Sequence, residues 1–395
     1  MTCHVALPRA VHSCDALCVI RRLALLAGLA LLASACGATE SAPLVVPSTS
    51  VATTTVVTTT TEPAPIAPSL TDLAEPGPFG VGVRTIVDES VTVEVWYPTE
   101  QGSATESYDL RDFTPEIVRN LLAADADSVF TYAATRDASP AGDALGLVLF
   151  SHGFTGMRLQ STAITTHLAS HGFVVAAPDH PSRDLFNVLG ATASGDRDAP
   201  VDELLAARAL VLDDPELGSL VTEAFAAVGH SAGGGTVLSL AGRGEADLLG
   251  YISLAAGAGD AAMPNVPSLF IAGSLDAVVP PVASASAHAG APAPSTLWLI
   301  DGAGHNAFDD FCLVGGGTGI IGVAEASGLG PLLDAQPQLR ALGEDGCLHP
   351  ALDVALTAPV INAAITAQVL SWFRQPAPSL DAWPGDAVSV EVSTR

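Results

Sequence analysis

The segment AAVGHSAGGGTVLSLAG, residues 226–242, constrains the fold of this chain more than any other stretch. An apolar, strand-like run precedes a serine flanked by glycines, and a small-residue helix pattern follows it. Such residues occur in any strand–helix turn, which is the simpler interpretation. The alternative is the Gly-x-Ser-x-Gly pattern of Gly229, Ser231 and Gly233, in which a sharp turn exposes the serine hydroxyl at the end of a sheet strand. We favour the second interpretation because only glycine leaves room for backbone packing beside such a turn.

Composition places the chain among globular proteins with an acidic surface. Its 395 residues are 49% hydrophobic, which is enough for a sizeable core, and its formal net charge is -27. All of its basic residues are arginines. An acidic surface repels phosphate backbones, so the composition argues against nucleic acid as a partner.

The N-terminal region is typical of a targeting segment. Arg21 and Arg22 precede the apolar run LALLAGLALLASAC, which is short for a transmembrane helix and suits the hydrophobic region of a secretory signal. We therefore assign residues 1–35 to a signal peptide and expect the protein to be exported.

Cys36 follows this segment and resembles the lipidated cysteine of a bacterial lipoprotein. The residues before it, Ala33 to Ala35, also form an A-x-A site for ordinary signal removal, so secretion without an anchor is the alternative. Because an exported chain meets an oxidising compartment, we predict a disulfide between Cys312 and Cys347. Cys36 is then left as the single cysteine of the mature chain, and lipidation would account for it.

A Thr/Pro-rich stretch follows Cys36 and shows no helical period. Such a composition buries too little apolar area to offset the entropy of ordering, so residues 36–78 are predicted to be the anchor cysteine with a disordered tether. Glycosylation of the threonines is an alternative reason for this composition. Residues 79–395 are then one folded domain.

The folded domain alternates apolar runs with helix patterns, which predicts an α/β fold: a mostly parallel eight-stranded sheet with helices on both faces. The first two strands lack an intervening helix and are expected to form a hairpin, which makes one edge antiparallel. The predicted strands are 80–87, 91–97, 145–151, 173–178, 225–229, 250–255, 268–273 and 295–300. The predicted helices are 159–170, 202–212, 232–243, 281–288 and 359–374.

Six motifs occur in a characteristic order over residues 80–374: VEVWYPTE, SHGFTGMRLQ, HGFVVAAPDHP, GHSAGGG, GSLDAVVP and GAGHNAFDDFC. Together they resemble the α/β-hydrolase superfamily, and in particular bacterial relatives of platelet-activating-factor acetylhydrolase, dienelactone hydrolase and cutinase. The resemblance implies that residues 79–395 are the catalytic domain of a serine esterase that needs no cofactor. Amide, lactone or polyester hydrolysis, and a non-catalytic binding protein of the same fold, are the alternatives.

A serine nucleophile needs a histidine base, and that histidine needs a carboxylate to orient it. In this superfamily the chain order is serine, acid, histidine, which points to Ser231, Asp276 and His305. Asp276 lies in GSLDAVVP, after a predicted strand, which is the usual place of the acid. Asp260 and Asp301 are the competing carboxylates.

The resemblance also implies an oxyanion hole formed by the backbone N–H groups of Ala232 and Phe154. His152, His180 and His230 are interpreted as structural neighbours of the site. No pair of cysteines or histidines has zinc-ligand spacing, so no metal site is predicted. The simpler alternative for the Phe154 segment is that it merely turns the chain.

Insert lengths bear on access to the site. The connection between the strands at residues 250 and 268 is short, so we expect no large cap after strand 6. Extra chain lies at 99–144 and at 306–358, and the second insert is either a lid or a surface loop. The absence of a cap predicts an open site that favours uncharged small-molecule or lipid-like esters with short or medium acyl groups. The expected contact with the membrane is through the N-terminal lipid anchor, and the sequence does not indicate an oligomeric state.

Overall fold

The computed structural model describes residues 67–142, 146–259 and 261–395. All of these residues belong to one compact unit that spans Pro63–Arg395. The predicted signal peptide, Cys36 and most of the predicted tether therefore lie outside the described residues. The last part of that tether, residues 67–78, is described, and its Leu70 and Leu73 are packed in the core, so the folded domain begins before the predicted residue 79.

The strands of the described residues are β1 (Gly80–Val87), β2 (Thr92–Thr99), β3 (Thr105–Asp109), β4 (Val129–Ala133), β5 (Thr135–Arg136), β6 (Gly146–Ser151), β7 (Phe173–Pro178), β8 (Phe225–His230), β9 (Leu248–Leu254), β10 (Ser268–Gly273), β11 (Ser295–Ile300) and β12 (Val390–Thr394). Ten of them form one sheet in the order β12-β11-β10-β9-β8-β6-β7-β2-β1-β5, while β3 and β4 pair separately. Every predicted strand is present, and the α/β-hydrolase fold class is confirmed.

The predicted number of eight strands is corrected to ten. The added strands lie at the two edges: β5 has only two residues, and β12 is mostly exposed. A strand of two residues is too short to show a period, and the alternation in β12, where Val390 and Val392 pack against the core, extends over only five residues. The central strands pair in parallel from β7 to β11, whereas the β1–β2 hairpin and the β2–β7 pair are antiparallel, as predicted for that edge.

The helices are α1 (Glu116–Arg119), α2 (Thr162–Ser170), α3 (Leu185–Leu189), α4 (Ala199–Asp213), α5 (Ala232–Arg243), α6 (Pro281–Gly290), α7 (Val314–Gly317), α8 (Gly319–Ala326), α9 (Gly330–Asp334), α10 (Pro337–Glu344) and α11 (Val354–Trp372). Side chains of α2 and α11 pack in the core on one face of the sheet, and those of α4, α5 and α6 pack in the core on the other. Both faces are covered, as the uninterrupted apolar strands require.

Three helix starts differ from the prediction, and one of them is that of α4, which begins at Ala199 rather than at residue 202. Helix α2 begins at Thr162 rather than at residue 159, and α11 begins at Val354 rather than at Pro359, which lies inside the helix. The side chain of Asp353 accepts a hydrogen bond from the Ala355 N–H and caps α11. A proline favours the first turn of a helix, which is why the sequence pattern misplaced this start.

Helix α11 is also the one helix among the described residues that is long and apolar enough to span a membrane. However, 67% of its most apolar stretch is buried inside the protein. Ile361 and Ile365 are packed in the core, and burying such a side chain contributes about 1.5–3 kcal/mol. The apolar character of α11 is explained by this packing.

A disulfide joins Cys312 to Cys347, as predicted, with Cα atoms 4.9 Å apart and a sequence separation of 35. It closes the second insert into a loop whose helices are α7 to α10.

We expect the double variant Cys312→Ser/Cys347→Ser to lower the free energy of unfolding by about 3–4 kcal/mol, because the bridge restricts the unfolded chain. Urea denaturation of oxidised and reduced protein measures this difference, and reduced wild type should match the double variant. Alkylation of both thiols without prior reduction would contradict the bridge.

Candidate active site

Ser231 lies in the turn between β8 and α5, with φ 55° and ψ -118°. This left-handed φ is unfavourable for a residue with a side chain, and it is held by the hydrogen bond from the Ser231 N–H to the Leu254 carbonyl oxygen, 2.8 Å long. A Cβ atom on Gly229 would overlap the backbone of Gly233, and one on Gly233 would overlap the backbone of Ser151. The two glycines of the motif are therefore required by close backbone approach.

The structure brings the predicted triad residues together. The Ser231 hydroxyl donates to Nε2 of His305 over 2.9 Å. On the other side of the ring, Nδ1–H of His305 donates to Oδ2 of Asp276 over 2.8 Å. His305 and Asp276 are almost completely buried, so solvent does not compete for these hydrogen bonds.

The other oxygen of Asp276 is also occupied. Its Oδ1 accepts the N–H groups of Val278 and Val279, at 2.9 and 2.7 Å. Asp301 is exposed, and its Oδ1 accepts from the hydroxyl of Ser274. Asp260 lies outside the described residues. The structure therefore places Asp276, and not Asp301, beside His305.

The predicted oxyanion-hole segments also lie beside Ser231. A Cβ atom on Gly153 would lie 3.3 Å from Cβ of Ser231, so the loop after β6 directly abuts the serine. Ala232 begins α5, and the first N–H groups of a helix have no intrahelical partner. Phe154 lines the same cavity as Ser231, and its side chain is 45% exposed.

A buried histidine orients the loop that carries Phe154. The His180 N–H donates to Nε2 of His152, so the His152 proton resides on Nδ1, which donates to the Gly153 carbonyl oxygen over 2.8 Å. Burial, together with the charge of Arg183, lowers the pKa of His152 to about 3 and keeps it neutral. This carbonyl belongs to the same peptide group as the Phe154 N–H, so His152 fixes that group's orientation.

A chain of buried polar groups supports the same loop from below. The Arg183 guanidinium donates to the His152 carbonyl oxygen and to the Ser151 hydroxyl, both at 2.8 Å. Ser151 in turn contacts Nε2 of His180, whose Nδ1 lies 2.6 Å from a carboxylate oxygen of Glu203. This Ser–His–Glu chain has the connectivity of a triad, but Ser151 is fully buried, so the chain holds structure and has no access to a substrate.

Gln160 connects the loop after β6, which carries Phe154, to the segment that carries His305 and Asp309. Its Oε1 accepts the Gly153 N–H over 2.8 Å, and its Nε2 donates to Asp309 over 2.8 Å and to Nδ1 of His230 over 3.2 Å. His230 then donates from Nε2 to the His305 carbonyl oxygen. Burial raises the pKa of Asp309 well above its usual range. Sequence analysis did not single out Gln160, because a glutamine in SHGFTGMRLQ carries no motif of its own.

The cavity above Ser231 is bounded by both inserts, so the site is more enclosed than the sequence suggested. It has a volume of about 470 Å³ and is lined by side chains from both inserts. The first insert contributes residues such as Val118, Leu121 and Leu122, and the second contributes residues such as Ile321, Leu332 and Leu333. The connection from β9 to β10 is short, as predicted, but the helices of the second insert take the place of a cap.

The lining of this cavity is mostly apolar. Within residues 67–142, 146–259 and 261–395, no Asp, Glu or Arg side chain lines it. The same described residues contain no group of three or more His, Cys, Asp or Glu side chains placed to hold a metal ion. The polar side chains that do reach the cavity include Thr114, Asn306 and Gln336.

Comparisons with known proteins agree with this architecture. Residues 83–194 match the family model for platelet-activating factor acetylhydrolase, isoform II. The fold is similar to that of a ferulic acid esterase from Streptomyces cinnamoneus, with a TM-score of 0.58 and 22% sequence identity over 80% of this chain and 98% of that chain. The structural similarity shows a shared fold, and the family match covers the part of the chain from β1 to the segment after α3.

Proposed function

We propose that this protein is a serine hydrolase that cleaves carboxylic esters through an acyl-enzyme intermediate. The observation that carries the proposal is the hydrogen-bonded series Ser231–His305–Asp276 beneath a mostly apolar cavity. A serine hydroxyl is a weak nucleophile at neutral pH, and this arrangement removes its proton as the hydroxyl attacks.

In the first half-reaction, Oγ of Ser231 attacks the ester carbonyl carbon while its proton moves to Nε2 of His305. The N–H groups of Phe154 and Ala232 bind the oxyanion, and Asp276 stabilises the imidazolium that forms. When the tetrahedral intermediate collapses, the alcohol leaves with the proton from His305. A water molecule then attacks the acyl carbon while its proton moves to Nε2 of His305. When this second tetrahedral intermediate collapses, the bond from the acyl carbon to Oγ breaks and His305 returns the proton to Oγ, which releases the carboxylic acid and restores Ser231.

A fluorophosphonate probe tests this proposal, because it reacts only with an activated serine. We expect the wild-type protein to lose all esterase activity as one probe molecule attaches per chain, with the modified peptide containing Ser231. The Ser231→Ala variant provides the matched control and should remain unlabelled. A wild-type protein that stays unlabelled would contradict the proposal.

We propose uncharged esters with a medium-sized apolar acyl or aromatic group as substrates. A cavity of about 470 Å³ is in the range that encloses drug-sized ligands, of roughly 300–1,000 Å³. Its lining offers a charged substrate group no partner, and burying an unpaired charge is costly. The net charge of -27 also repels anionic esters before they reach the site.

A series of aryl esters with increasing acyl length measures this preference. We expect kcat/KM to rise from acetyl to medium-length acyl groups, since each buried CH₂ contributes about 0.8 kcal/mol, and to fall once the chain exceeds the cavity. Replacing the terminal methyl group of the best substrate by a carboxylate should lower kcat/KM at least tenfold. Highest kcat/KM on acetyl esters, or on anionic ones, would contradict this substrate class.

We also propose that the enzyme is exported and anchored through Cys36. The support is in the sequence: an arginine pair, a short apolar run and a small-residue site directly before a cysteine. Attachment of acyl chains to Cys36 would hold the catalytic domain outside the membrane on its Thr/Pro-rich tether.

We expect Cys36→Ser to shift the active enzyme from the membrane fraction to the medium. The Cys312→Ser/Cys347→Ser variant is the control, because it alters cysteines without touching the anchor site. Activity and mass of the protein in both fractions are the measurements. Membrane association that survives Cys36→Ser would exclude this anchor.

A further inference from the structure

Asp345 joins the two loops that carry the acid and the histidine of the triad. Its Oδ1 accepts the His305 N–H over 2.7 Å, and its Oδ2 accepts the Ala277 N–H over 2.9 Å. Its backbone carbonyl oxygen also accepts the Asn306 N–H, at 2.9 Å. One residue of the second insert therefore makes three hydrogen bonds to the residues at or beside Asp276 and His305.

Close backbone packing accompanies these hydrogen bonds. Gly346 has a φ of 89° and lies so close to Gly304 that a Cβ atom on Gly304 would overlap it. The side-chain amide of Asn306 also donates to the Leu342 carbonyl oxygen over 2.7 Å. The end of α10 and the residues after it therefore pack directly against the loop that carries His305. Neither segment can shift without displacing the other.

The disulfide connects the segment after α10 to the core of the fold. Cys347 follows Asp345 by two residues and is bonded to Cys312. Two residues before Cys312, the buried carboxylate of Asp310 accepts the N–H groups of Thr162 and Ala163 at the start of α2. Asp345 is thus held to a core helix through a covalent bridge, independently of the other residues of the insert.

We propose that Asp345 is a positioning residue for the triad, an inference that rests on the proposed ester hydrolysis. Its carboxylate sets the distance between the backbones of His305 and Ala277, and hence the alignment of the His305 ring between Asp276 and Ser231. The alignment is demanding, because a displacement of about 1 Å in an active site can cost about 10²-fold in rate. The second insert therefore lines the cavity and also keeps His305 aligned with Asp276 and Ser231.

Two variants of Asp345 test this role. Asp345→Ala removes both acceptor oxygens, and we expect kcat to fall about 30- to 100-fold with KM changed less than threefold, because the alignment and not the cavity is altered. Asp345→Asn keeps one acceptor oxygen and should give an intermediate kcat. Asp353→Ala is the matched control, since Asp353 also accepts a backbone N–H but caps α11; it should leave kcat unchanged.

Thermal denaturation separates positioning from a general loss of stability. Asp353→Ala should lower the thermal midpoint and leave kcat unchanged, because Asp353 caps α11 away from the triad. Asp345→Ala should lower kcat at temperatures well below its own thermal midpoint, because it alters the alignment of His305 in the folded protein.

The inference is overturned if Asp345→Ala, folded by circular dichroism, keeps kcat within twofold of wild type. If that variant does not fold, Asp345→Asn and wild type with a reduced disulfide carry the same comparison. Fluorophosphonate labelling distinguishes this outcome from a failure of the proposed function. An unlabelled wild type refutes ester hydrolysis itself, whereas equal labelling rates in wild type and Asp345→Ala refute only the role of Asp345.

Discussion

Ser231→Ala and His305→Ala are each expected to lower kcat by about 10⁵- to 10⁶-fold, because the members of a triad act as a unit and the loss of either removes the activated nucleophile. The hydrogen bond of 2.9 Å between Oγ of Ser231 and Nε2 of His305 is the contact that both variants delete. Steady-state hydrolysis of an aryl ester measures the loss. The double variant should be no slower than either single variant.

Ser239→Ala is the matched control for this experiment. Ser239 lies on the exposed side of α5, the helix that follows Ser231. Its replacement should leave kcat unchanged. Circular dichroism should show that Ser231→Ala remains folded, since alanine fits wherever the serine side chain fits. Substantial turnover by a folded Ser231→Ala variant would show that another group is the nucleophile.

Asp276→Asn is expected to lower kcat by about 10³- to 10⁴-fold with little effect on KM. An amide presents an N–H group to Nδ1 of His305 and thereby favours the tautomer whose Nε2 cannot accept the Ser231 proton. The effect is amplified by burial, since Asp276 is only 4% exposed and no water replaces the lost acceptor. The pH profile and kcat of the variant are the measurements.

Asp301→Asn is the control for the acid, because Asp301 was a competing candidate in the sequence and is exposed in the structure. Its replacement should leave kcat within twofold of wild type. If Asp276→Asn kept full activity while Asp301→Asn lost it, the assignment of the acid would be wrong.

The sharp turn at Ser231 (the elbow) and most of the sheet could be predicted from the sequence because their causes are local. Gly229, Ser231 and Gly233 are neighbours in the chain, and the sharp turn that they form depends on their own backbone geometry. The buried strands are continuous apolar runs, and Ala232–Arg243 follows the serine as a small-residue helix with the predicted bounds. Edge strand β12 was missed because its alternation of Val390 and Val392 with polar residues is short, although both valines pack against the core.

The sequence by itself determined the fold class, the position of the elbow serine and the candidates for its partners, because motif order and apolar periodicity are properties of neighbouring residues. Only the tertiary structure decided between Asp276 and Asp301, lined the cavity with the second insert, and placed Asp345 on the loops of the triad. Those outcomes depend on hydrogen bonds between segments that are distant in the chain, such as the bond between His305 and Asp345, which are 40 positions apart. A carboxylate that accepts backbone N–H groups can occur in any sequence context, so its role becomes visible only when the chain is folded.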